Sequence, residues 1–287
     1  MTDTGRPAGQ PPAGGRILVL IDGSRTSYGA LEAAADIAGK RDADILGVFV
    51  EELNLLRSAG YGFSREVGSA SGISRPLDPE ILQRRMRRLA DHARAALAGA
   101  VKQHGGRAAL SVARGRVIDE VLALAGPDDL LVLGRAGWSS PAGARLGSTA
   151  RGLIQQSPGQ VLLWCEQKLP SPNRVVVFLN DHDEANHRAT LAAAEISRHY
   201  HQPVTIILGN DGEPAADQLD AIRQDLDVLG AGTRLRIISD TDPVSIARML
   251  REERASQLVI SRRCALFDEP GAEHLLAALN LPVTVTP

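Results

Sequence analysis

The chain of 287 residues carries 32 basic and 34 acidic side chains, a formal charge of -2, and so has no overall positive field with which to hold a nucleic-acid backbone. Its length exceeds the roughly 100 to 200 residues of one domain, so two cores are expected. Hydrophobic residues make up 44% of the chain but aromatic ones only 3%, which leaves Ala, Val, Leu and Ile to fill the interior, as in parallel sheets covered by alanine-rich helices.

Residues 1–15, rich in Gly, Pro and Ala without periodicity, are expected to form a flexible tail. No apolar run approaches the roughly 18 to 20 residues that cross a bilayer, and the N-terminus lacks the layout of a signal peptide, so a cytoplasmic protein without membrane insertion is expected. Ile17 to Ile21 is an apolar run that stops at Asp22-Gly23-Ser24, and Tyr28 to Lys40 follows with helical spacing: strand, turn and helix. Ile45 to Val50 closes a βαβ unit with a parallel, right-handed crossover. Residues 53–79, rich in Gly and Ser, are expected to be a long loop outside the core. From Pro79 to about His104 the apolar positions Ile81, Leu82, Met86, Leu89, Ala93 and Leu97 recur at helical spacing, with Arg84, Arg85, Arg87 and Arg88 between them on a solvated basic face. Ala108–Ala113, Val117–Ala125, Leu130–Leu133, Ser148–Gln156 and Val161–Trp164 then alternate strand and helix to a fifth strand.

Residues 167–173 contain Pro170 and Pro172 and read as a linker, after which the pattern restarts. Arg174-Val-Val-Val-Phe-Leu-Asn180 lies over Arg16-Ile-Leu-Val-Leu-Ile-Asp22, and Leu191 to Ile196 over Leu31 to Ile37 once a two-residue insertion is allowed. Leu258-Val-Ile-Ser-Arg262 matches Leu131-Val-Leu-Gly-Arg135, and the interval Gly271 to Pro282 equals Gly147 to Pro158. An internal duplication accounts for all four. The expected fold class is α/β, with two tandem Rossmann-like domains at 16–166 and 174–287, each a five-stranded parallel sheet with helices on both faces.

The chemistry concentrates after the fourth strand, in Leu133-Gly134-Arg135-Ala136-Gly137, followed by nine residues and Gly147-Ser148-Thr149. The stretch opens at the carboxyl end of a strand and closes at a helix start, where open α/β sheets bind ligands. Free N–H groups, a partial positive charge and glycines that let the backbone approach an anion suit that place to phosphate. Gly-x2-Gly-x9-Gly-Ser is the spacing of the ATP-binding branch of the universal stress proteins, which the chain resembles strongly over 16–166 and weakly over 174–287. The resemblance implies an adenine nucleotide alpha hydrolase-like fold and ATP, with Mg2+ as its ion, as cofactor. It places Asp22 and Val48 near ribose and adenine, Leu133 and Gly134 near base and sugar, and Gly137, Gly147, Ser148 and Thr149 around the phosphates, with Arg135 and Ala136 also lining the site. Taken singly, Asp22 also reads as a strand end, Ser24 as a helix cap, and Gly134 and Gly137 as a tight turn.

In the second copy the loop reads Ser261-Arg262-Arg263-Cys264 and, three residues shorter, Gly271-Ala272, while Asp22 becomes Asn180. That copy is not expected to bind ATP in the same manner, and Arg262 and Arg263 are expected as a solvated surface pair. No Gly-x4-Gly-Lys-Ser/Thr loop, Gly-x-Gly-x2-Gly turn or Gly-x-Ser-x-Gly elbow is present. His182, His187, His199 and His201 fit no zinc pattern, Cys165 and Cys264 read as buried thiols, and Asp211, Glu213, Asp217, Asp220, Asp225 and Asp227 as an exposed helical face. With no placed general base, the expectation is a nucleotide-dependent stress or signalling protein with at most slow ATP hydrolysis. Its partners would be an adenine nucleotide and another protein, and the family's dimer would be formed by two chains or imitated within one. The alternative is an interaction module that regulates a partner enzyme or transporter without nucleotide.

Overall fold

The computed structural model describes residues 15–68, 71–135, 146–165, 173–179, 183–209, 232–238, 242–264, 276 and 279–287. Residues 1–14 of the expected tail, nearly all of the linker, Ala136, Gly137, Asn180, His182, the acidic residues 211–227, Gly271 and Ala272 lie outside them. The described strands of the core form one ten-stranded sheet. In the first half β1 (Ile17–Leu20) pairs in parallel with β2 (Ile45–Glu52) on one side and β6 (Leu130–Gly134) on the other, β2 with β5 (Ala108–Gly115), and β6 with β7 (Gln160–Trp164). In the second half β8 (Arg174–Leu179) likewise pairs with β9 (Val204–Gly209) and β11 (Ala255–Ser261), β9 with β10 (Arg234–Ile238), and β11 with β12 (Val283–Thr286). Each half runs third, second, first, fourth, fifth, and the two sets of five join where β7 and β12 pair antiparallel, Leu162 opposite Thr284.

Helices α1 (Arg25–Arg41), α3 (Pro79–His104), α4 (Val117–Leu122), α5 (Ser148–Gln156), α6 (Asp183–Tyr200) and α7 (Pro243–Glu252) cover the sheet. The alanines explain how so few aromatics suffice: Ala30, Ala34, Ala35 and Ala38 of α1 and Ala189, Ala192 and Ala193 of α6 are buried and let the helices lie close on the strands. Ser24 caps α1 by accepting the Ser27 N–H (3.1 Å), and Asp78 and Asp242 cap α3 and α7.

The halves share their anchors as well as their order. Arg16, just before β1, donates from Nη2 to Asp129 Oδ2 (2.9 Å) and from its backbone N–H to Asp129 Oδ1 (2.8 Å), and Asp129 also accepts the Gly126 N–H (2.9 Å). Burial works against the Asp129 carboxylate, but the bonds from Arg16 and Gly126 outweigh it and hold its pKa below the usual range. Arg174, which opens β8, lies 3.7 Å from buried Glu253, which accepts from Thr205 Oγ1 (2.8 Å) and Arg236 Nη1 (2.6 Å). Burial is again outweighed, and Glu253 is held low.

The junction between the halves is pseudo-symmetric. Asp36 of α1 accepts from Tyr200 Oη at the end of α6 (2.8 Å), and Glu195 of α6 pairs with Arg41 at the end of α1 (2.8 Å). Lys40 bridges to Asp36 (2.6 Å) while lying over the Tyr200 ring, and His199 stands 3.7 Å from Glu195. On the other face Arg135 Nη2 donates to Leu281 O (3.4 Å) and Arg262 Nη1 to Ser157 O (2.7 Å). Arg263 is exposed, whereas half-buried Arg262 departs from the expected solvated pair because it answers carbonyls of the opposite half. Cys264 is buried; Cys165 is only half-buried.

Residues 53–79 also depart from expectation. They fold into α2 (Leu53–Ala59) and an antiparallel hairpin of β3 (Arg65–Val67) and β4 (Ser74–Pro76). Leu55, Leu56 and Leu77 pack with Ala59, Leu82 and Met86 in a small core of their own. Glu66 ties the hairpin down, pairing with Arg75 (2.8 Å) and with Arg85 of α3 (3.3 Å).

Candidate functional site

A cavity of about 580 Å³ opens at the carboxyl ends of β1, β2 and β6, between α1, α5 and the overhanging α2 and α3. After β1 the chain turns through Asp22-Gly23-Ser24. Asp22 Oδ1 accepts the Ser24 N–H (2.9 Å), and Gly23 has φ of +84°, a conformation that side chains disfavour. Gly134 ends β6 so close to α1 that an added Cβ would stand 3.0 Å from the Thr26 carbonyl carbon. Across the gap Gly147 begins α5 with φ of −65°, and a Cβ there would meet nothing within 4 Å.

The N-terminus of α5 differs from those of α1, α3 and α7 in having no side-chain cap, and its first turn holds no acidic residue. Its Ser148, Thr149 and Ala150 all line the cavity, so the first N–H groups and the positive end of the helix dipole face a space large enough for a ligand. Arg135 lines it too; burial lowers its guanidinium pKa, with the neighbouring Cys165 working the other way, and burial raises the Cys165 thiol. The opposite wall is apolar, with Phe49, Val50, Leu82, Met86 and Leu89, and carries Glu52 and Arg85. The arrangement offers anion donors at one end and an apolar slot at the other. Among the described residues no group of three or more His, Cys, Asp or Glu is placed to hold a metal ion.

Residues 15–164 match the model of the universal stress protein family. The chain belongs to that family. Among solved structures it is similar to a universal stress protein from Archaeoglobus fulgidus, at 18% identity and a TM-score of 0.72, over 94% of this chain and 95% of that one. A functionally unknown protein from Pseudomonas aeruginosa gives a TM-score of 0.63 at 18% identity, over 94% of this chain and 92% of the other. No curated protein matches the chain at a significant level. At such identities the likeness shows the fold: the Rossmann-like arrangement of the family, shared over both halves.

Of the positions that the family pattern singles out, Asp22, Leu133, Gly134, Arg135, Gly147, Ser148 and Thr149 all line the one cavity. Ala136 and Gly137 lie outside the described residues. Val48, expected near the adenine, does not line it: its side chain is fully buried in the sheet and its carbonyl accepts the Ile21 N–H (2.9 Å), while Phe49 and Val50 reach the cavity. Asp22 and Ser24 also hold the structural places open to them, a turn acceptor and a helix cap. The far wall was not foreseen. Leu82, Met86 and Leu89 share one helical stripe with core residues, so periodicity marks them as buried without telling cavity from core, and Arg85, exposed as expected, also lines the cavity and pairs with Glu66 of the hairpin. No described helix is long and apolar enough to cross a membrane.

Proposed function

We propose that this universal stress protein binds ATP in the first-half cavity and acts as a nucleotide-dependent stress or signalling protein rather than as an efficient catalyst. The observation that carries the reading is the uncapped N-terminus of α5, opening through Gly147 into a cavity whose other wall is apolar. In this reading the phosphates rest on the N–H groups and hydroxyls of Ser148 and Thr149 and on the loop that includes Arg135, Ala136 and Gly137. The sugar lies by Asp22 and Gly134, and the base lies against Leu133 and Phe49, with Val48 serving from the strand beneath. Mg2+, where it accompanies the nucleotide, is held chiefly by phosphate oxygens and water, as suits an ion that gives up its hydration shell reluctantly.

We further read the repeated strand order as two domains, 16–166 and 174–287, joined at 167–173 behind a tail of residues 1–15, with the second lacking the glycine loop. The test is an ATP titration of the intact chain beside Gly147→Arg. The ordinary φ and open space at Gly147 accept a side chain without backbone strain, so the arginine enters the cavity and leaves the fold in place. Saturable binding by the native chain, lost in the variant, is expected. No binding by the native chain up to about 1 mM ATP would leave the interaction module as the reading.

A further inference from the structure

The second half has lost the glycines but kept an arginine at the matching place: Arg262 follows β11 as Arg135 follows β6. Each donates its backbone N–H to the last strand of its own half, Arg262 to Thr286 O (2.9 Å) and Arg135 to Trp164 O (3.2 Å). Each then sends its side chain across the junction to the residue before the proline that leads into the other half's last strand, Ser157 before Pro158 and Leu281 before Pro282.

What Arg262 meets there is the end of α5. The last carbonyls of a helix lack partners within it, and a cation is favoured beside them. Helices α1, α3, α6 and α7 carry basic residues in their last turns, but α5 has none. Arg262 supplies from the other half what the sequence of α5 lacks, donating to Ser157 O at 2.7 Å and reaching Gln155 O at 3.4 Å. The other end of this nine-residue helix is the uncapped N-terminus that lines the cavity. At 1.5 Å per residue the two ends are only about 13 Å apart, so a helix released at one end shifts at the other. α5 is seated on the core by Leu153 and Ile154 beside the small Ala150 and Gly152, so it moves as one body.

We propose that Arg262 is a positioning residue for the nucleotide site of the first half, and that fixing α5 is a function of the second half. The inference rests on the nucleotide reading above. A phosphate at the N-terminus and the Arg262 cation at the C-terminus act on one helix dipole, so each favours the other, and Arg135 ties the facing wall of the same cavity to Leu281.

The experiment uses the full-length protein with two readouts, ATP affinity by titration calorimetry and amide exchange of residues 148–157. Arg262→Ala is expected to weaken ATP about tenfold and to speed exchange in α5. Arg262→Lys, which keeps a donor and the charge, recovers most of both, and Arg263→Ala, at an exposed neighbour, changes neither. Native affinity in Arg262→Ala, or a lysine variant no better than alanine, would overturn the proposal. Should the alanine variant not fold, Arg262→Gln takes its place with the same expectations. If the native chain itself binds no ATP, the nucleotide reading fails separately, and exchange still decides the clamp: faster in the variant supports it, unchanged refutes it.

Discussion

Asp129→Asn removes a charge that holds the closed end of the first half. Asp129 fixes Arg16 at the start of β1 and itself stands beside the start of β6, the two strands whose opposite ends carry Asp22 and Leu133 to Arg135. Breaking a buried ion pair costs about 3 kcal/mol or more. The Asp129 side chain is 7% exposed, but Arg16 is 37% exposed and regains water when released, so a cost of about 2 kcal/mol is expected. With a urea slope of about 2 kcal/mol per M, the unfolding midpoint falls by about 1 M. Both tryptophans, Trp138 and Trp164, lie in the first half, so their fluorescence follows the half that carries the substitution. The pH dependence gives a second check. A carboxylate whose folded pKa is depressed contributes fully above its unfolded value, about pH 4, and loses that contribution as pH falls through the folded value. The difference between native and variant should therefore be equal at pH 7 and pH 5 and shrink below pH 4. A midpoint shift under about 0.25 M at pH 7, or one as large at pH 3 as at pH 7, would refute the reasoning.

Gly134→Ala drives a Cβ to within 3.0 Å of the Thr26 backbone and should cost about 1 to 3 kcal/mol by thermal unfolding; Gly147→Ala, with open space around it, should stay within about 1 kcal/mol. Glu66→Gln breaks pairs with Arg75 and Arg85 that are worth about 0.2 to 1 kcal/mol each, so proteolysis within 65–76 should quicken while the global midpoint holds. Burial and the bond to Asp36 push the Tyr200 phenol well above its usual range. Tyr200→Phe should abolish the last step of the spectrophotometric tyrosine titration and cost about 1 kcal/mol.

The repeated fold was legible because its signals are local and occur twice. Arg16 to Ile21 and Arg174 to Leu179 each open with an arginine and run apolar, and α1 and α6 each show alanine at helical spacing, so the duplication is visible without any contact map. The glycine loop was legible for the same reason, since spacing along the chain suffices to mark a strand end facing a helix start. The far wall of the cavity was not, because a helix stripe such as Leu82, Met86 and Leu89 records burial but not what does the burying. The arm of residues 53–79 was hidden by brevity: a seven-residue helix and two three-residue strands leave too few turns for a period to appear. Arg262 was misplaced because its partners, Gln155 and Ser157, lie more than a hundred residues away and are backbone carbonyls that no side-chain pattern reveals.

The two halves agree and differ in different places, and the division follows the geometry of the sheet. At the closed end of the strands both halves keep an arginine on a buried carboxylate, Arg16 with Asp129 and Arg174 with Glu253. At the junction both keep an acid, a cation-forming residue four positions on and a partner at five, as Asp36, Lys40 and Arg41 and as Glu195, His199 and Tyr200. These positions carry the sheet, and a substitution there is felt by both halves. At the open end of the first half the described residues after the fourth strand, Gly134 and Arg135, line a cavity. Replacing Gly134 by Ser261 in the second half therefore leaves the strand order intact, while the arginine beside it is retained at the junction. The two halves thus differ in the glycine spacing after the fourth strand and agree in the arginine that crosses the junction.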